Sequence, residues 1–188
     1  MSLRLVTPPD GFPVSIEEAR TMCRVIGGEE DAMLGPLIAA ATTHVELYIG
    51  RSILPQVWEL LLDGFDDSIL LPRGPVTTIE SVEYYDVDEQ LQTVPATDYA
   101  LDAASDPQWL VRATTANWPG VAGGINNVVI RFTAGYPDTA IERHAIKQAI
   151  LLLIVQWFDN PSAVITGPIV SSMPNAVEAL LCNVRSFS

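Results

Sequence analysis

Basic residues are scarce in this sequence. Ten lysines and arginines stand against 23 aspartates and glutamates, a formal net charge of −13 over 188 residues. Nucleic-acid-binding proteins show the reverse, clustered Lys and Arg that meet phosphates. The imbalance is also local: from Glu59 to Asp106 twelve carboxylates face Arg73 alone, so this segment carries −11. That argues against tight DNA binding there and leaves either a solvated acidic face or a use for repulsion. Cysteine is nearly absent. Cys23 and Cys182 lie far apart, each inside a helical pattern, which is the arrangement of reduced core thiols rather than of a disulfide framework. "MSLRLVTPPDGFPV" lacks the apolar stretch of a signal peptide, and no apolar run reaches the roughly 20 residues that span a bilayer. The expectation is a cytoplasmic protein with no membrane partner.

Chemistry-bearing motifs are missing as well. There is no Gly-rich phosphate loop, nucleophile elbow, C-x-x-C or H-E-x-x-H. His44 and His144 sit on different helices without a Cys, Asp or Glu at ligand spacing on the same face, so each reads as a packing or surface residue. "DGFDD" at Asp63 to Asp67 and "DVDEQ" at Asp86 to Gln90 resemble pieces of calcium loops, but neither completes one, and Leu91 stands where the sharp-turn glycine belongs in the second. Hairpin turns explain both. Arg131 and Arg143 flank "TAGY" and read as ion-pair partners. No catalytic, cofactor or metal residue is expected, and an enzyme has no residues to name.

What the sequence does hold is apolar pattern, 48% of its residues against 18% charged. Ser15 and Glu18 form a capping box, followed at helical spacing by Ile16, Ala19, Met22, Cys23 and Ile26, with Gly27 and Gly28 as the stop. A second helix is expected from Asp31 to Ile49, with Gly50 as its C-terminal stop and Pro36 kinking or shortening its first turn. Between Gln56 and Thr133 the period shortens to that of strands: "QVWELLL", "SILL", "VTTIESVEYY", "QWLVRA" and "NNVVIRFTA". The third cannot keep Ile79, Val82 and its tyrosines on one face without a bulge. Helical period returns from Thr139 to Phe158, and a last short helix near Pro174 presents Val177, Leu180, Leu181 and Val184 after a loop that reads as a tether. The fold class is therefore α+β, a small bundle of N- and C-terminal helices with an inserted antiparallel β subdomain. The boundaries are residues 1–53 for the first helices, 54–134 for the insertion and 135–188 for the last helices.

The helix within "HAIKQAILLLIVQWFDNP" has seven consecutive apolar residues, Ala149 to Val155. It is too short for a membrane span and too apolar for one buried stripe. Ile150, Leu152, Leu153 and Trp157 are thus candidates for a core helix or for one shared with a neighbouring subunit.

Taken in order, "VTPPDGFPVSIEEARTMCRV", "LIAAATTHVELYIGRSILPQVWELLLDGF", "VVIRFTAGYPD", "IERHAIKQAILLLIVQWFDNP" and "MPNAVEALLCNVR" resemble the head-tail connector (adaptor) family of tailed bacteriophages and prophages. The resemblance spans nearly the whole chain, residues 1–188, as a single connector domain. It implies a structural protein of the virion, assembled in the host cytoplasm, without catalysis. About twelve copies would close into a cyclic ring beneath the portal. That ring would pass double-stranded DNA without binding it specifically and would offer a surface to the next tail-completion protein. The last helix must dock either back on its own domain or on a partner, and the resemblance assigns Leu180, Leu181 and Arg185 to a portal contact, while Asp86, Asp88 and Glu89 form an acidic surface on the insertion. A reading from another class is an acidic module that mimics nucleic acid toward a basic partner protein; an unrecognised hydrolase is a third.

Overall fold

The computed structural model describes residues 1–160 and 173–186. The described residues divide into two compact units, one of residues 1–10 and 54–135 with Ser186, the other of residues 11–53, 136–160 and 173–185.

The second unit is helical. Helix α1 (Ile16–Cys23) starts where the capping box is expected: the Ser15 hydroxyl accepts from the Glu18 amide at 3.2 Å and the Glu18 carboxylate accepts from the Ser15 amide at 2.9 Å. It ends before the two glycines, because Arg24 adopts a left-handed conformation at φ 59° and closes the helix itself. Helix α2 (Asp31–Ile49) runs through Pro36 without being shortened and stops at Gly50, φ 68°, whose amide bonds to the Glu46 carbonyl. Its Leu34, Ile38, Ala41, Val45 and Ile49 recur every three or four residues and are all buried. By length and composition α2 could cross a membrane, contrary to the sequence expectation, but this face lies in the helical core.

Helix α3 (Glu142–Asp159) starts three residues later than expected and buries Ile146, Ala149, Ile150, Leu153 and Ile154. Leu151, Leu152, Trp157 and Phe158 are half-buried and pack against the same cluster. Helix α4 (Asn175–Leu181) closes the unit with Val177 and Leu181. The segment read as a tether, up to residue 172, lies outside the described residues.

The first unit is antiparallel β-structure. Five strands form one sheet in the order β1 (Ser2–Thr7), β2 (Gln56–Leu62), β8 (Val128–Ala134), β4 (Val76–Tyr85), β5 (Leu91–Thr93). Strands β3 (Ser68–Leu70), β7 (Trp109–Arg112) and β6 (Tyr99–Asp102) form a second sheet in that order. β8 alternates buried and half-buried residues, while β2 buries Glu59 and Leu60 side by side; Leu60, Ile130 and Phe132 are fully buried with Val82, Val128 and Leu110 in the unit's core. The expected irregularity in β4 is present as two register shifts against β8, at Val76/Thr78 and Ile79/Ser81. Three strands had no counterpart in the sequence reading: β1, β5 and β6. Gly135 ends β8 at φ 142°, and a Cβ there would lie 2.3 Å from the Leu54 carbonyl oxygen, so only glycine fits.

Candidate interaction surfaces

Of the residues expected to make α3 a core or shared helix, Ile150 and Leu153 are at most 1% exposed and Leu152 and Trp157 are half-buried. Trp157 meets His44 edge to face, with ring centroids 5.9 Å apart, so His44 is a packing residue. One flank of α3 stays open. Leu151, Val155 and Asp159 face Glu17, Thr21 and Cys23 of α1 across a groove of about 880 Å³. Burial, then the nearby carboxylates of Asp159 and Glu30, push the Cys23 thiol up from its ordinary value, which keeps it protonated and inert. Lys147 bridges to Glu18 nearby, and this bond, before any other cause, lowers the Glu18 carboxyl.

The C-terminal helix docks on its own unit. Val177 and Leu181 are at most 1% exposed and Val184 is buried, while Leu180 is half-buried against the same cluster. This corrects the expectation for Leu181, whose side chain is enclosed and has no surface to offer a portal. Arg185 is exposed, with its guanidinium 4.8 Å from the centre of the Tyr48 ring. Cys182, expected in a core, is exposed.

Charge in the β unit is more engaged than composition implied. Glu59 on β2, its side chain 3% exposed, is held between Arg4 on β1 and Arg131 on β8. Arg4 Nε lies 3.1 Å and Arg131 Nε 3.0 Å from its carboxylate oxygens, each guanidinium adding a second bond. Burial works to raise the Glu59 carboxyl, but the hydrogen bonds from Arg131 and Arg4 outweigh it and hold it below the usual carboxylate range. The sequence pointed to Arg131 as an ion-pair former without supplying its partner; Arg143 pairs with Asp138.

The β4–β5 hairpin carries Asp86, Asp88 and Glu89. The Asp86 carboxylate accepts from the amides of Gln90 at 2.9 Å and Asp88 at 3.0 Å and from the Gln92 side chain at 2.9 Å. The Gln90 amide contributes most to lowering its carboxyl. Asp86 therefore builds the turn, and Asp88 and Glu89 are the exposed acids. Asp63 accepts from the Asn126 amide, Asp67 pairs with Arg112, and Asp102 holds Ser105. These internal partners weaken the nucleic-acid-mimic reading, which needs free carboxylates. Among the described residues no cluster of His, Cys, Asp or Glu could hold a metal ion.

Residues 13–93 match the model of the family described as phage gp6-like head-tail connector protein. The chain is similar to head-tail connectors. Its fold agrees over the whole length with a chain from the neck of an empty gene transfer agent particle computed with C6 symmetry, at a TM-score of 0.77 and 25% identity, covering 100% of this chain and 97% of that one. A chain from the virion of a native gene transfer agent particle matches at 0.76 and 25% with the same coverage. A chain from the neck of the native particle computed with C12 symmetry matches at 0.74 and 24%, a likeness of fold. No curated protein matches the sequence. The α+β architecture is thus that of a connector-like neck chain, and the matched residues 13–93 run from α1 through β5.

Proposed function

We propose that this chain is a structural protein of a phage-like virion, a head-tail connector that forms a ring beneath the portal and extends the DNA channel. The observation that carries the reading is the agreement along essentially the full length of both chains with a particle-neck protein. Residues 1–188 act in it as one connector, with its helical and β units both retained. Closed cyclic assembly, at about twelve copies, accounts for surface that a single copy leaves apolar, including Leu151 and Val155 beside α1. The portal contact is narrowed to Arg185 and the outer edge of Leu180, the residues of the expected set that have exposed surface. The next tail-completion protein would meet another face. DNA would pass unbound, kept off by exposed acids such as Asp88 and Glu89 wherever they face the path, since like charges repel over about 10 Å at ordinary salt. No catalytic role is assigned. Mixing the purified chain with portal rings and imaging by negative stain tests the reading: added density of cyclic symmetry below the portal is expected. A chain that stays monomeric with every portal offered, at any protein concentration, sinks it.

A further inference from the structure

The five-stranded sheet ends in two edges that differ in charge. Across it the register sets Arg4 of β1 opposite Glu59 of β2, Glu59 opposite Arg131 of β8, and Arg131 opposite Ser81 of β4. At the last step the register shift between Ile79 and Ser81 brings Glu80 to the same face, where its carboxylate accepts from the Thr133 hydroxyl at 2.7 Å. The carboxylates of Glu83 and Glu80 also act on Arg131. The row therefore alternates positive, negative, positive, negative from one edge to the other.

Among the described residues both edges are open. There β1 pairs with β2 alone, all but one of its residues are exposed, and Leu5 and Val6 are 42% and 40% exposed. On the far side β5 pairs with Glu83–Tyr85 of β4, and its continuation leaves after the Val94 amide bonds to the Val82 carbonyl at 2.8 Å, where Pro95 has no amide to continue. The Gln108 side chain covers the backbone of Val76. Among the described residues Thr77–Ser81 thus has a strand on one side only, and Thr77, Thr78 and Glu80 are exposed. An edge of this kind presents unpaired amides and carbonyls to any strand that fits. Arg4 bonds to Glu59 yet keeps its side chain 66% exposed, so its charge still faces the open edge.

We propose that a second copy of this chain fills this gap: β1 of one copy adds antiparallel to Thr77–Ser81 of β4 in the next. Successive strands in the sheet alternate in direction, so two sheets facing the same way bring β1 and β4 together antiparallel. The added strand takes up the line of β5 where Pro95 abandons it. It sets Arg4 opposite Glu80 and continues the alternation of charge, a favourable cross-strand pair. The contact joins two different surfaces, so it propagates around a closed ring rather than stopping at a dimer. The inference rests on the ring reading above and names the interface within it.

Counting two residues along each strand from Arg4 opposite Glu80 gives the register to be tested, Val6 opposite Thr78, with the shifts at Leu5/Thr7 and Ile79/Ser81 taken up on the sides that face β2 and β8. The test uses V6C/T78C in a background with Cys23→Ser and Cys182→Ser, assembled with portal rings under mild oxidation. Ring mass is followed by mass photometry and covalent linkage by non-reducing gels. The expected result is a ladder of linked species reaching the ring number, with the V6C and T78C single variants unlinked. Glu80→Gln, which keeps an oxygen for the Thr133 hydroxyl, is expected to raise the concentration needed for half-assembly about threefold. Rings that form without a ladder, or linked dimers from V6C alone, overturn the interface and leave the ring reading standing. Failure to form rings with any variant, the parent included, takes both down.

Discussion

Replacing Arg4 and Arg131 together by Met strands the Glu59 carboxylate. Its side chain is 3% exposed, and removing the partners of a buried charge costs about 3–5 kcal/mol. The two guanidinium groups are 66% and 43% exposed, so water screens part of what they supply and the low end, about 3 kcal/mol, applies. At about 2–4 °C per kcal/mol for a chain of this size, the melting temperature should fall by about 6–12 °C at neutral pH. The converse change, Glu59→Leu, should cost only about 1 kcal/mol, because both arginines can turn to water and the site accepts an apolar side chain. The pH response separates the two causes. In the parent the folded Glu59 carboxyl lies below its unfolded value, so its contribution is present above the unfolded value and is lost as pH falls through the folded one. In the double variant burial alone remains and raises the folded carboxyl, so stability should recover as pH falls from 7 toward 5. Thermal melts followed by circular dichroism at several pH values check this. Equal losses for Glu59→Leu and the double Met variant, or a deficit that stays constant from pH 7 to 5, would refute the reasoning.

Leu153→Ala should cost about 2–5 kcal/mol and Leu152→Ala distinctly less, since the first is 1% exposed and the second half-buried, as chemical denaturation would read. Truncation after Met173 removes the buried Val177, Leu181 and Val184, each about 1.5–3 kcal/mol of burial, and should lower the melting temperature of the helical unit; an unchanged melt would mean α4 is not part of that core. Asp88→Lys with Glu89→Lys should leave the fold intact and raise DNA affinity in a salt-dependent way, measured by fluorescence anisotropy. Asp86→Ala should instead loosen the hairpin without changing DNA affinity, because its carboxylate is spent on Asp88, Gln90 and Gln92.

The start of α1 and the end of α2 were legible because they carry their own punctuation, and α3, which has no side-chain cap, was legible by its apolar period but not by its first residue. Ser15 and Glu18 mark one start, Gly50 one end, and the three-and-four spacing of Leu34 to Ile49 a buried face. Strands β2, β4 and β8 were legible because they are long runs rich in β-branched and aromatic residues bounded by turn residues, and β8 also alternates. β1, β5 and β6 were not: they are short or nearly all exposed, so alternation has little burial to follow, and β1 owes its strand form to pairing with residues 57–61 far along the chain. For the surfaces, composition revealed the excess of acid but not its use. The burial of Glu59 depends on two arginines 55 and 72 positions away, and the enclosure of Leu181 depends on α3, neither of which has a local signature.

The division of the helical unit between residues 11–53 and residues from 136 onward sets a schedule for the newborn chain. α2 leaves the ribosome with its apolar face complete, yet α3, which covers that face, begins about 90 residues later. At a synthesis rate of about 5–20 residues per second, the nascent helix waits roughly 5–20 s for its partner. Throughout that interval a 19-residue helix apolar enough to pass for a membrane span has α1 alone of its final helical neighbours to cover it. The order of translation thus makes the length of the β insertion the length of that wait.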